Sequence, residues 1–182
     1  MDPNRVVEDA AQGNKVAKEA FNDYHNTIKQ AKASLGGNPG LLVDFHGQGH
    51  GKNSTEIGYL IKKAQLNSKN FTGSEIGIKS LVARKNAKLS DFIFGKRSLG
   101  SLFEGVGYRA VPSPRQPSPG TDLYYRGGYT AQVHGSSHGG VVDAIQLEFP
   151  GEIREGGGKV LRKKFSTAVA QILQQFFSNN YS

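Results

Sequence analysis

Leu41-Leu42-Val43-Asp44-Phe45-His46-Gly47-Gln48-Gly49-His50-Gly51 is the stretch on which the reading of this chain turns. Four apolar residues around one acid have the composition of a short buried strand, and the glycines that follow mark a loop. A buried strand ending in a histidine is how an open α/β sheet presents chemistry, because ligands collect beyond the carboxyl ends of the strands. Glycines at 47, 49 and 51 leave room for a metal, a substrate or another backbone to approach. A plainer reading stays open beside this one: a satisfied buried acid at Asp44 and a loop histidine at position 46.

Working outward, apolar residues upstream fall at Val16, Ala17, Ala20, Phe21, Tyr24, Ile28, Ala31 and Leu35, the spacing of a helix with one apolar stripe. Gly36-Gly37-Asn38-Pro39-Gly40 ends it, so a helix feeds directly into the strand, the repeating unit of α/β folds. Downstream, strands are expected over 55–61, 107–111, 129–133 and 141–149, with helices over 74–85, 90–94, 98–104 and 159–177. The closing helix has the stripe Leu161, Phe165, Ala168, Val169, Ile172 and Phe176. Pro112 to Gly120, with four prolines among serines, reads as an extended loop, a lid beside a site or a linker, and its place inside a single domain favours the lid. The expected fold is therefore α/β: a mixed, mainly parallel sheet of five or six strands with helices on both faces, in a single domain spanning 1–182.

Composition narrows the classes. The chain has 182 residues, 36% of them hydrophobic, with 24 glycines, 7 prolines and no cysteine. Disulfides and thiolate metal sites are excluded, so any transition metal must be held by histidine and carboxylate. The net charge of +8 favours anionic partners. No RNA-reading signature, zinc finger or long basic helix accompanies it, so nucleic acid is not expected as a partner. Met1-Asp2-Pro3-Asn4-Arg5 is not an apolar leader, and no apolar run approaches a membrane span.

Several side chains are candidates for chemistry. Glu148 closes the alternation Gln146-Leu147-Glu148 at a strand end and suits a general base; a surface acid is the alternative. His134 and His138 flank a loop and are able to share a metal or to serve as polar loop residues. Tyr124, Tyr125 and Tyr129, around Gly127-Gly128, offer a phenol or simply pack, and Arg5 offers a guanidinium fork to a carboxylate or is a mobile surface arginine.

Asp2-Pro3-Asn4-Arg5, Asp44-Phe45-His46-Gly47, Gly127-Gly128-Tyr129 and Gln146-Leu147-Glu148, taken in this order, resemble the N-formylglutamate amidohydrolase family. That family is similar to the aspartoacylase and carboxypeptidase-type zinc hydrolases. The likeness runs from Asp2 to about Arg154. It implies a truncated zinc-hydrolase-like domain in which His46 ligates zinc and Glu148 takes a proton from the metal-bound water. It further implies that Asn4 and Arg5 hold the carboxylate of an N-acyl amino acid, and that Tyr129 lies over the substrate.

The chain departs from the pattern where a strand ahead of the Asp2–Arg5 segment would supply further metal ligands. A catalytic zinc needs about three protein ligands plus water. Completion of the site by His50, with His134 and His138 as secondary candidates, is one expectation. Supply by a complementing chain is another, and loss of the metal is a third, leaving a non-catalytic binding or self-assembling protein. An uncovered sheet edge would then invite a homo-oligomer. His25 is expected to lie away from the strand ends.

Overall fold

A computed structural model describes residues 5–7 and 11–181. Helix α1 (Lys15–Ala33) begins where the Asn14 side chain accepts a hydrogen bond from the Ala17 backbone N–H at 3.1 Å, meeting one of the orphan donors of the first turn. It leads into β1 (Gly40–Gly47), as the sequence predicts. There follow β2 (Thr55–Gly58), α2 (Lys63–Ser68), α3 (Lys79–Arg84), α4 (Leu89–Ile93), α5 (Leu99–Gly105) and β3 (Ala110–Val111). The chain closes with α6 (Tyr129–His134), a 3₁₀ turn at Ser136–His138, β4 (Val142–Phe149), a π-helical turn at Glu152–Gly156 and α7 (Gly158–Tyr181).

The sheet has four strands in the order β1-β4-β2-β3 and is mixed. β4 lies parallel to β1 and antiparallel to β2, while β2 and β3 are parallel. The sheet is therefore smaller than the five or six strands expected. The missing strand is 129–133: despite its β-branched and aromatic residues it forms α6, because Thr130, Ala131 and His134 reach burial at helical spacing. Tertiary packing overrides propensity there. The expected strands at 55–61 and 107–111 shorten to 55–58 and 110–111, and the expected helix at 74–85 starts only at Lys79. Gly77 is instead held in the sheet's margin, its N–H bonded to the Tyr59 carbonyl and its own carbonyl to the Ala144 N–H.

The two faces differ sharply, as period-two alternation requires. Odd-numbered β4 residues Ile145 and Leu147 join Ile57 on β2, Phe103 on α5, and the α7 stripe Phe165, Val169, Ile172 and Phe176 in the main core. Each such fully buried side chain contributes about 1.5–3 kcal/mol, so this face holds most of the fold's stability. The even-numbered face has a small apolar patch of Leu60, Ala131 and Ala144 under α6. Beyond that patch the face is polar, and it is there that the candidate site lies. Among the described residues, no helix is long and apolar enough to cross a membrane.

Candidate functional site

Register brings the distant candidates together. His46 on β1 pairs with Glu148 on β4, and Glu148 in turn pairs with Glu56 on β2. Paired residues on neighbouring strands point to the same face. Asp44 and Gln146 form the next rung down. The result is a row of titratable side chains across three strands: His46, Glu148 and Glu56, with His50 brought over Glu56 by the glycine loop.

Hydrogen bonds organise the row into pairs. Gln146 Nε2 donates to Glu148 Oε1 at 2.6 Å, and Gln146 Oε1 accepts from the Gly128 N–H at 2.7 Å. His50 Nδ1 pairs with Glu56 Oε1 at 2.7 Å, while Glu56 Oε2 accepts from the Tyr125 N–H at 2.8 Å. The Tyr125 ring stacks on His50 with centroids 4.5 Å apart. His46 Nε2 lies 3.1 Å from Asp44 Oδ2.

Residues 124–128 form the cover. Tyr124 OH donates to the Ile57 carbonyl at 2.6 Å, and the Arg126 carbonyl accepts from Leu60 N–H. Gly58 makes this close approach possible: a Cβ there would sit 2.6 Å from the Gly127 nitrogen. Gly127 itself has φ +118°, a conformation that side chains disfavour. The proline-rich loop at 112–120, expected to be the lid, is tied elsewhere. Ser113 Oγ donates to Glu104 Oε1 at 2.6 Å and Gly120 N–H to Asn67 Oδ1 at 3.0 Å, so the loop packs on α5 and α2.

Burial pushes the Glu148 carboxyl above the ordinary carboxylate range, with the neighbouring Glu56 carboxylate adding to the rise. His46, the Gln146 hydrogen bond and His50 oppose it. A carboxyl raised in this way, with His46 and His50 nearby, is suited to taking up and returning a proton.

The remaining sequence candidates divide. Tyr129 sits at the start of α6, its ring edge-on to His25 at 5.4 Å and 6.0 Å from Phe21. His25 is buried on α1, and its Nδ1 lies 2.7 Å from Nε2 of His134, which joins α1 to α6. His138 is 67% exposed and 3.9 Å from Glu75, apart from His46. Arg5 is exposed, and Asn4 lies outside the described residues. Glu56 completes the site without having been singled out, whereas Gln146 belongs to the quoted Gln146-Leu147-Glu148 motif and Tyr125 to the tyrosines around Gly127-Gly128. Glu56 carried a signal, an acid in a strand whose other residues are apolar or small, but its register with Glu148 is not written in local sequence.

The donor set does not fit the expected zinc. Among the described residues, no group of three or more His, Asp or Glu side chains is placed to hold a metal ion. His50 and Glu56 are committed to each other, as are His46 and Asp44. His46 and His50 therefore share a neighbourhood without forming a coordination shell, and His134 belongs to a separate pair.

The His25–His134 pair makes stability depend on pH. Burial, then the charges of His25, Lys32 and Lys29, push His134 down to about 4 from the ordinary 6.5. The unfolded chain binds the extra proton first as pH falls. The contribution is therefore complete above about pH 6.5 and lost progressively toward pH 4, by about 2 kcal/mol. Denaturant midpoints at pH 7 and pH 4.5 should show this drop, and His134→Gln should flatten it; an unchanged slope in that variant would contradict the assignment.

No family profile, curated protein or solved structure matches this chain. The site's chemistry is accordingly judged on its own geometry.

Proposed function

We propose that this chain is an amidohydrolase-type protein acting on small N-acyl amino acids, with Glu148 as the group that moves the proton. The observation that carries the reading is the cross-strand row His46–Glu148–Glu56, with His50 over Glu56, on a buried face roofed by residues 124–128. In its ionised form Glu148 takes a proton from a water as that water attacks the acyl carbon. It then returns the proton to the departing amine nitrogen. Gln146 orients the carboxyl, and the roof restricts access of bulk water. Arg5 is the proposed anchor for the substrate carboxylate, resting on the sequence resemblance alone. The proposed steps use the chain's own acid–base groups.

A second reading has an observation in its favour. The pairs Glu56–His50 and Gln146–Glu148 are hydrogen-bonded within the site, His46 lies against Asp44, and β1 is one of the two outer strands of the sheet. A hydrogen-bonded polar network beside an outer strand also suits a non-catalytic binding or assembly protein.

Amine release from N-formyl and N-acetyl amino acids, measured with an amine-reactive dye, separates the two. The first reading expects release from substrates with a free carboxylate and much less from their carboxamides. Calorimetric binding of those acids without any amine release would favour the second.

A further inference from the structure

The first turns of α7 carry a surface that plays no part in the proposed hydrolysis. Val160, Lys163, Lys164, Thr167 and Gln171 recur at helical spacing and so share one side of the helix. With Val106 and Tyr108, which follow α5, they line a recess of about 540 Å³. Val160 is 84% exposed, more than any other large apolar side chain among the described residues, and Val106 is 50% exposed. A single exposed valine needs no explanation, but two from separate elements bordering one recess form a patch.

The surroundings of the patch are cationic. Lys163 and Lys164 are exposed, and Lys159, also exposed, stands one turn before Lys163. Exposed Arg109 directly follows Tyr108 in the chain. Among the described residues, none of these four cations is held in an ion pair, and no acidic side chain lines the recess. Lysines so placed lay their alkyl stems along apolar surface and keep their ammonium groups in water.

We propose that this end of the molecule docks on an anionic phospholipid surface, with Val106 and Val160 entering the headgroup layer and Lys159, Lys163 and Lys164 meeting the lipid charges. Charge complementarity selects the partner: exposed aliphatic side chains ringed by unpaired lysines match a surface that is anionic outside and apolar beneath. Tyr108 is half-buried and packs edge-on to Phe165, with centroids 4.9 Å apart. The exposed apolar side chains here are therefore aliphatic, which suits lipid better than stacked nucleobases. The net charge of +8 adds long-range attraction. Docking would leave the row His46–Glu148–Glu56 uncovered, because α7 packs on the other face of the sheet.

Sedimentation of the full chain with vesicles of phosphatidylcholine alone, or of equal parts phosphatidylcholine and phosphatidylserine, tests this. Binding is expected to the mixed vesicles only, and it should weaken as salt is raised. Lys163→Gln with Lys164→Gln should weaken it by about 25-fold, from about 5-fold for each charge at an anionic surface. Lys15→Gln with Lys18→Gln, on α1 across the sheet, removes the same charge and should weaken it by less than about 2-fold. Val106→Asn with Val160→Asn keeps every charge and should weaken it by about 10-fold or more. Equal losses from the two lysine pairs would reduce the binding to net charge and overturn the proposal. An unchanged affinity in the valine pair would overturn it too, since nothing then enters the headgroup layer. So would retention of single-stranded oligodeoxythymidylate without vesicle binding, which would assign the surface to nucleic acid. A dimer in solution that the valine pair dissolves and that ignores vesicles would likewise overturn it.

Discussion

Glu148→Gln is expected to lower turnover of an N-acyl amino acid by about 100-fold or more, the usual contribution of a positioned proton-transfer group. The fold should be nearly untouched. The amide keeps an oxygen to accept from Gln146 Nε2, and it matches the carboxyl in shape. Burial makes the ionised carboxylate the costly form at this position, so the neutral amide should leave the melting temperature unchanged or slightly raised at neutral pH.

The pH profile supplies the second measurement. Because the carboxyl is raised, the rate should climb with pH through a midpoint above the ordinary 4.5. Glu56→Gln removes a like charge and should move that midpoint down. Loss of activity in Glu148→Gln without a raised limb in the native profile would assign the residue a structural part. A Glu148→Gln variant as active as the native chain would remove it from the chemistry altogether.

Asp143→Ala should destabilise the fold by about 3–5 kcal/mol, a large fraction of the 5–15 kcal/mol typical of a whole domain. Asp143 is completely buried at the start of β4 and gathers donors from three directions. Its Oδ1 accepts from the Ser80 N–H at 3.1 Å and Ser136 Oγ at 2.5 Å, and its Oδ2 accepts from the Leu81 N–H at 3.0 Å and Tyr181 OH at 2.9 Å. The physical reason lies in α3. Its N-cap position is Ile78, which has no acceptor, so the first N–H groups of the helix depend on a carboxylate from another element.

Removing that carboxylate takes an acceptor from four donors at once. The buried Leu81 N–H and the half-buried Tyr181 hydroxyl lose the acceptor named here, while Ser80 N–H falls back on Ser136 Oγ at 3.0 Å and Ser136 Oγ on the Gly77 carbonyl at 3.3 Å. Asp143→Asn should recover part of the loss, since one oxygen remains to accept. Urea denaturation of the three proteins checks this, and a loss below about 1 kcal/mol for Asp143→Ala would show that water or local rearrangement replaces the carboxylate.

Much of this architecture was legible in local sequence because it depends on local chemistry. The α1–β1 unit followed from helical spacing, glycine and proline stops and an apolar run. The stripe of α7 followed from its period, and Phe165, Val169, Ile172 and Phe176 are indeed buried. At 129–133, where the residues favour a strand and the structure has a helix, intrinsic preference is the wrong guide. Thr130 and Val133 favour strands in isolation, but the chain gains more by burying Ala131 and His134 against the sheet as a helix. Val16, assigned to the stripe of α1, is 72% exposed, because that helix reaches the body mainly through Phe21 and His25.

The sequence by itself determined the alternation that puts His46 and Asp44 on one face of β1, and Glu148 and Gln146 on one face of β4. It also determined that any metal would have to do without thiolates. Only the tertiary structure decided that those two faces are the same face, that Glu56 lies across from Glu148, and that His25 meets His134 across 109 positions of chain. The reason is that side-chain direction along a strand has a period of two and is readable locally. Register between strands is set by long-range packing of the opposite, apolar face, and no short stretch of sequence contains it.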